Sequence, residues 1–278
     1  MTIAMRNVKL MLPTRQNAIS VAGAGARAHA PAAEIVDVKI AVVIPAYRVR
    51  KHILGVIAEI GSEVSRIYVV DDACSENSGS FVAKHCLDRR VVVLSNRQNE
   101  GVGGAMILGY KQAITDGYDL VVKLDGDGQM DPRLLPQLVA PILNGAADYA
   151  KGNRFCSLKS ILSIPPARLF GNIALSCVTI AGTGYFHLFD TVNGYTAISA
   201  EALKKMALQK ISKGYYFETD ILFALRSLNC VVADIAMPSI YCGEESNLKI
   251  HQVIPEFLIG NFCNLYKRCL TKIRRQKE

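Results

Sequence analysis

Two acidic clusters carry the most chemical promise in this chain of 278 residues: Asp71-Asp72 and Asp125-Gly126-Asp127. Carboxylates at positions i and i+2 can reach one hard cation together with phosphate oxygens and water. Oxygen ligands disfavour softer metals, so Mg2+ or Mn2+ is the expected occupant. Gly126 and Gly128 permit a tight turn that lets backbone approach a ligand. A ligand-free Asp/Gly turn has the same composition, so these four residues alone leave both readings open. Glu218 and Asp220 in YYFETD form a third acidic site. One of them could serve as a general base toward a hydroxyl. Alternatively, both stabilise the first turn of a helix, where carboxylates are favoured. Both readings stand.

Two rival motifs fail on their own terms. Asp125, Asp127, Gln129 and Asp131 alternate as in a calcium loop, but Met130 stands where glycine is needed and Pro136 where a bidentate Glu is needed. Gly101-Val102-Gly103-Gly104 resembles a dinucleotide fingerprint, yet Met106 occupies the third glycine position and the motif follows the third strand, not the first. The five histidines (29, 52, 85, 187 and 251) show no mutual spacing for zinc and read as surface or packing residues.

The elements that must position the acids follow from periodicity. Short apolar runs over 40–45, 67–71, 91–94 and 120–125 predict parallel strands buried on both faces. Helices are predicted over 52–64, 80–87 and 102–115, and a fourth begins at Asp131-Pro132, a good cap and first-turn pair. Four β-α units argue for a doubly wound, mostly parallel α/β sheet, whose ligands bind beyond the carboxyl ends of the strands. Both Asp clusters fall at such ends. Further on, helices are predicted over 168–181 and 218–228, strands over 195–199 and 231–236, and a long terminal helix over 253–275.

Half the residues are hydrophobic and a fifth are charged, which excludes wholesale disorder. The formal charge of +8 is unevenly spread. Residues 1–33 carry four bases and no acid, and residues 264–278 carry six bases against Glu278, leaving 22 bases against 23 acids between them. A neutral body argues against nucleic acid as a partner. No stretch reaches the roughly 18 apolar residues needed to span a bilayer. Eight cysteines without a CxxC pair read as reduced packing residues, which fits a cytosolic compartment. Residues 1–37 read as a disordered extension, 38–250 as the folded domain and 251–278 as a basic amphipathic helix and tail. That helix can lie on an anionic membrane surface or pack on the domain.

Six segments then carry a resemblance: IAVVIPAYR, YVVDDACSENS, NEGVGGAMILGYKQA, VKLDGDGQMDP, KGNRF and FDTVNGYTAIS. They occur in the order seen in inverting family-2 glycosyltransferases, and over about residues 38–245 the chain resembles the polyprenyl-phosphate sugar transferases, the dolichyl-phosphate mannose and glucose synthase-like enzymes. The resemblance implies a GT-A fold, a nucleotide-sugar donor, a divalent metal and a polyprenyl phosphate acceptor. By the same resemblance, Pro45, Tyr47, Val70 and Asp72 would form the nucleoside pocket. Asp125, Asp127 and Gln129 would hold the metal, with Gly126 in the same turn. Arg154 would meet donor or acceptor phosphate, Arg168 is a further acceptor candidate, and Asp190 would act near sugar or acceptor. The sequence departs from the family at Arg48 and Val49, where Asn and Glu are common, and at Thr196, where Arg is common. Peripheral association with the cytoplasmic face of a membrane follows from the lipid acceptor, and a homo-oligomer is compatible with the sequence. The alternatives are transfer to a glycan hydroxyl and a non-catalytic nucleotide-sugar-binding protein.

Overall fold

The structure is a computed structural model that describes residues 38–155, 161, 166–237 and 257–268. The expected extension over 1–37, Cys156, Cys242 and everything from Cys269 onward lie outside the described residues.

Apolar runs build the first half. Strand β1 (Ile40–Ala46) lies between β2 (Val64–Asp71) and β4 (Leu120–Lys123), and β2 pairs with β3 (Val91–Ser95), all in parallel. Side chains alternate across a strand. Ala41, Val43, Tyr68 and Val70 therefore pack on one face with helix α3 (Gly101–Thr115). Val42, Ile44, Ile67 and Val69 pack on the other with α1 (Ile53–Ala58) and α4 (Leu135–Leu143). Helix α2 (Ser78–His85) joins β2 to β3.

The second half adds β5 (Tyr149–Asn153), α5 (Pro166–Thr183), β6 (Thr196–Ser199), α6 (Ala200–Lys205), α7 (Phe217–Ser227), β7 (Val232–Ala236) and a helix α8 over 257–268. The sheet order is β3-β2-β1-β4-β6-β5-β7. Strand β6 is antiparallel to both β4 and β5, and β7 is parallel to β5.

Three of the differences from the periodicity reading have a direct physical reason. The first helix ends at Ala58, and Val64 begins β2, because pairing with Ile40 takes the position that helical spacing would assign to the helix. Strand β5 was not predicted: YAKGN offers no apolar run, yet all five residues are buried. Asp131 does cap, accepting from the Arg133 amide at 3.0 Å, but the turn it begins is a 3-10 turn that then leads into α4.

The described cysteines are all free thiols, and Cys177 and Cys263 are exposed, so not every one is a packing residue. Helix α8 sits on Tyr216 through Phe257, with rings perpendicular at 5.2 Å, and through Asn264 Nδ2, which donates to the Tyr216 hydroxyl at 2.9 Å. Its buried side is Phe257, Asn261 and Asn264, while Leu258, Ile259, Phe262 and Tyr266 face outward. Among the described residues no helix is long and apolar enough to cross a membrane.

Candidate active site

Strands β2, β1, β4 and β5 run in one direction, so their carboxyl ends share one edge of the sheet. The segment 190–195, which has no regular secondary structure, leads into the antiparallel β6 at that same edge. This edge is where open α/β sheets bind ligands.

Asp125 lies two residues beyond β4, with about a third of its side chain exposed. Its Oδ1 accepts a 2.6 Å bond from the ammonium of Lys123, which is 1% exposed. That ammonium also meets Glu218 Oε1 at 3.2 Å and donates to the Gly194 carbonyl at 3.3 Å. Burial alone would lower the Lys123 pKa, but the two carboxylates overcome it and hold the pKa above the ordinary lysine value. Asp127 is half-buried, and its Oδ1 accepts the Gln129 amide at 3.0 Å. Gly128 adopts a φ of +81°, which a β-carbon would strain. A β-carbon on Gly126 would press on Ile44 and Val49, so the turn lies directly against the chain leaving β1. Among the described residues no group of three or more His, Cys, Asp or Glu gathers around one point. Asp125 and Asp127 instead supply two hard oxygen donors, a set that fits Mg2+ or Mn2+ when diphosphate oxygens and water complete the shell.

The other acidic pair is engaged differently. Asp71 accepts the Cys74 amide at 2.8 Å and the Gly79 amide at 2.6 Å, securing the β2–α2 connection. Asp72, 3% exposed, accepts from Asn96 Nδ2 at 2.7 Å, the Glu100 amide at 2.9 Å and the Gly101 amide at 2.8 Å. It therefore anchors the start of α3. The glycines of GVGG are explained by the same corner: the Gly103 and Gly104 amides donate to the Lys213 carbonyl, and a β-carbon on Gly103 would collide with Ser212 and Lys213 backbone. The motif packs one loop onto a helix start.

A second charged cluster lies beyond β5. Asp190 is wholly buried and receives Arg154 in a bidentate pair, Nε to Oδ2 at 2.7 Å and Nη2 to Oδ1 at 2.8 Å, with the Arg154 amide adding a third bond at 3.0 Å. Burial would raise the Asp190 pKa, but the guanidinium holds it below the usual carboxylate range. In this arrangement Asp190 reaches a ligand only through Arg154, whose side chain is 16% exposed. Lys151 is fully buried, donates to the Asp190 carbonyl, and is pushed down by burial to about 8. Burial raises the nearby Asp234, which accepts from Asn153 at 2.6 Å.

Of the remaining candidates, Pro45 and Val70 stand opposite each other in the β1–β2 register. Val70 is completely buried, so its side chain is part of the core. Tyr47 is 39% exposed just past β1, with the Arg48 guanidinium 5.5 Å from its ring centre. Arg168 belongs to α5, and its side chain lies outside those described. Glu218 and Asp220 both fall in the first turn of α7 but point apart: Glu218 meets Lys123, whereas Asp220 accepts the Ser212 amide at 2.9 Å and is raised by burial. Sequence reasoning missed Lys123, Lys151 and Gly194. The available signal was a lysine inside an apolar strand, LVVK, because a charge buried on both sides must be paired.

Residues 41–207 match the sequence model of Glycosyl transferase family 2. The chain belongs to that family. As a glycosyltransferase it is 28% identical over 219 residues to the UDP-N-acetylglucosamine--dolichyl-phosphate N-acetylglucosaminyltransferase of Methanococcus voltae, covering 74% of this chain and 87% of the relative. It is 31% identical over 173 residues to the undecaprenyl-phosphate mannosyltransferase of Micrococcus luteus, covering 62% and 70%. Among solved structures it is similar to glucosyl-3-phosphoglycerate synthase from Mycobacterium tuberculosis in complex with Mn2+, UDP and glucosyl-3-phosphoglycerate. That likeness has a TM-score of 0.60 at 19% identity and covers 83% of this chain and 80% of the other. The fold is the GT-A fold of glycosyltransferases.

Proposed function

We propose that this glycosyltransferase moves a sugar from a nucleotide-sugar donor to a polyprenyl phosphate, with inversion at the anomeric carbon. The observation that carries the reading is the pair Asp125 and Asp127, presented at the carboxyl edge of the sheet, in a chain whose relatives are named for transfer to dolichyl and undecaprenyl phosphates. In the reaction an acceptor phosphate oxygen bonds to the anomeric carbon while the bond from that carbon to the nucleoside diphosphate breaks. Asp125 and Asp127 would hold Mg2+ or Mn2+, with Gln129 supporting the turn. When bound, the cation supplies positive charge against the departing diphosphate.

The chain's own residues account for the rest. Tyr47 offers an exposed ring for the nucleoside. Arg154, pre-aligned by Asp190, is suited to a phosphate, because a held guanidinium loses less freedom on binding an oxyanion. A phosphate acceptor is already anionic, so it needs positioning more than a base. The engagement of Glu218 by Lys123 supports that choice over a glycan hydroxyl, which would need a carboxylate to take its proton. Seating on a membrane surface is supported by the outward Leu258, Ile259, Phe262 and Tyr266 of α8 and by Phe170 and Ile173 of α5.

The test is a screen of nucleotide-sugar donors against a short polyprenyl phosphate with Mg2+ or Mn2+, products identified by mass. A sugar-phosphate-lipid product is expected. Transfer to a glycan hydroxyl with none to the lipid would refute the acceptor assignment.

A further inference from the structure

We propose that Lys123 is the positioning residue of the active-site turn, holding Asp125 in the orientation that receives the donor's cation. The inference rests on the donor and cation reading given above and adds to it a residue and a role.

An ammonium has three N–H donors. Here they meet three acceptors: Asp125 Oδ1 at 2.6 Å, Glu218 Oε1 at 3.2 Å and the Gly194 carbonyl at 3.3 Å. No donor is left for a ligand, and 1% exposure keeps substrate away from it. Lys123 therefore acts through Asp125, which remains 30% exposed. The three acceptors come from separate parts of the chain: the turn after β4, the start of α7, and the segment before β6. Lys123 stands directly opposite Thr196 in the β4–β6 register, so the sheet fixes its backbone on both sides. Gly194 completes the seat. A β-carbon there would collide with the Lys123 ammonium and come within 2.9 Å of Asp125 Oδ2. Groups that orient a cation's ligands from outside the coordination shell typically change affinity or activity by about 10- to 100-fold when removed.

A simpler role is neutralisation of the partly buried Glu218 carboxylate, with Asp125 an incidental neighbour. The two roles separate in the variant K123M/E218Q, which removes the ammonium without leaving the largely enclosed Glu218 as an unpaired charge. Purified full-length protein is titrated with Mn2+ in the presence of UDP or GDP, and free Mn2+ is followed by electron paramagnetic resonance. Circular dichroism melting establishes that each variant is folded. The expected result is Mn2+ binding about 10- to 100-fold weaker in folded K123M/E218Q, with a parallel rise in donor KM. G194A, which leaves both charges in place but displaces the ammonium, is expected to weaken binding in the same direction. Wild-type Mn2+ affinity in K123M/E218Q overturns the proposal and leaves Lys123 as the partner of Glu218. Absence of Mn2+ binding by the wild-type protein with either nucleotide overturns the cation reading itself, and the role of Lys123 with it.

Discussion

The two acidic clusters at the carboxyl edge share residue type and strand-end position but are engaged in opposite ways. Asp71 and Asp72 turn their carboxylates inward to chain amides and to Asn96, which hold α2 and α3 against β2. Asp125 and Asp127 keep part of their surface open, and Asp125 is held by one buried ammonium. Carboxylates buried against several chain amides organise the scaffold, whereas the half-open carboxylates, Asp125 with its ammonium and Asp127 with the Gln129 amide, stay within a ligand's reach. Position at a strand end is therefore insufficient to assign a role. What decides it is what the rest of the chain delivers to each oxygen.

The largest expected effect tests the open pair. Asp127→Ala should lower transfer by roughly 10²–10³-fold, the scale of losing electrostatic stabilisation of a leaving group, with an unchanged thermal melt. An enzyme assay beside calorimetry checks it, and full activity would remove Asp127 from the chemistry. Asp72→Ala should show the reverse pattern. Loss of three hydrogen bonds to a buried carboxylate should cost about 3 kcal/mol of stability, read by urea unfolding. An unchanged unfolding curve with lost nucleotide binding would return Asp72 to the donor pocket. Gly103→Ala presses a β-carbon into the 212–213 backbone and should destabilise by about 2 kcal/mol, again without a specific effect on donor affinity.

The smallest effect is a pH dependence. Lys151 is pushed down to about 8 in the folded protein from an ordinary 10.5, so between these values the unfolded chain binds more protons. Its contribution to stability is therefore unfavourable below pH 8 and improves as pH rises to 10.5. Lys123, shifted upward, acts in the opposite sense only above that window. The melting temperature of the wild type should rise relative to that of Lys151→Met from pH 8 to 10.5, with the flatter profile in the variant.

The parallel half of the fold was legible because β1, β2 and β4 are apolar runs, and burial on both faces leaves that signature in the residues themselves. Strand β5 left none, since its inward positions include Lys151 and Asn153, whose partners Asp190 and Asp234 are 39 and 81 residues away. Asp125 and Asp127 were legible as a turn at a strand end, which the Asp/Gly composition announces. The engagement of Asp72 was not, because its partners sit 24 to 29 residues downstream, beyond the reach of any local pattern. Glu218 and Asp220 looked equivalent in sequence, and only the packing of α7 separates them.

The segment 190–195 meets Arg154 at its first residue, through Asp190, and Lys123 at its fifth, through Gly194. Thr191 is tied to Ser176 of α5 between those points, by an amide-to-hydroxyl bond of 3.2 Å. A deletion or insertion of one residue there would shift both the arginine and the turn at once. The spacing between them therefore behaves as a fixed gauge. Relatives that accept different lipids or sugars should vary around this segment, in α5 and in the chain after β7, while keeping its length.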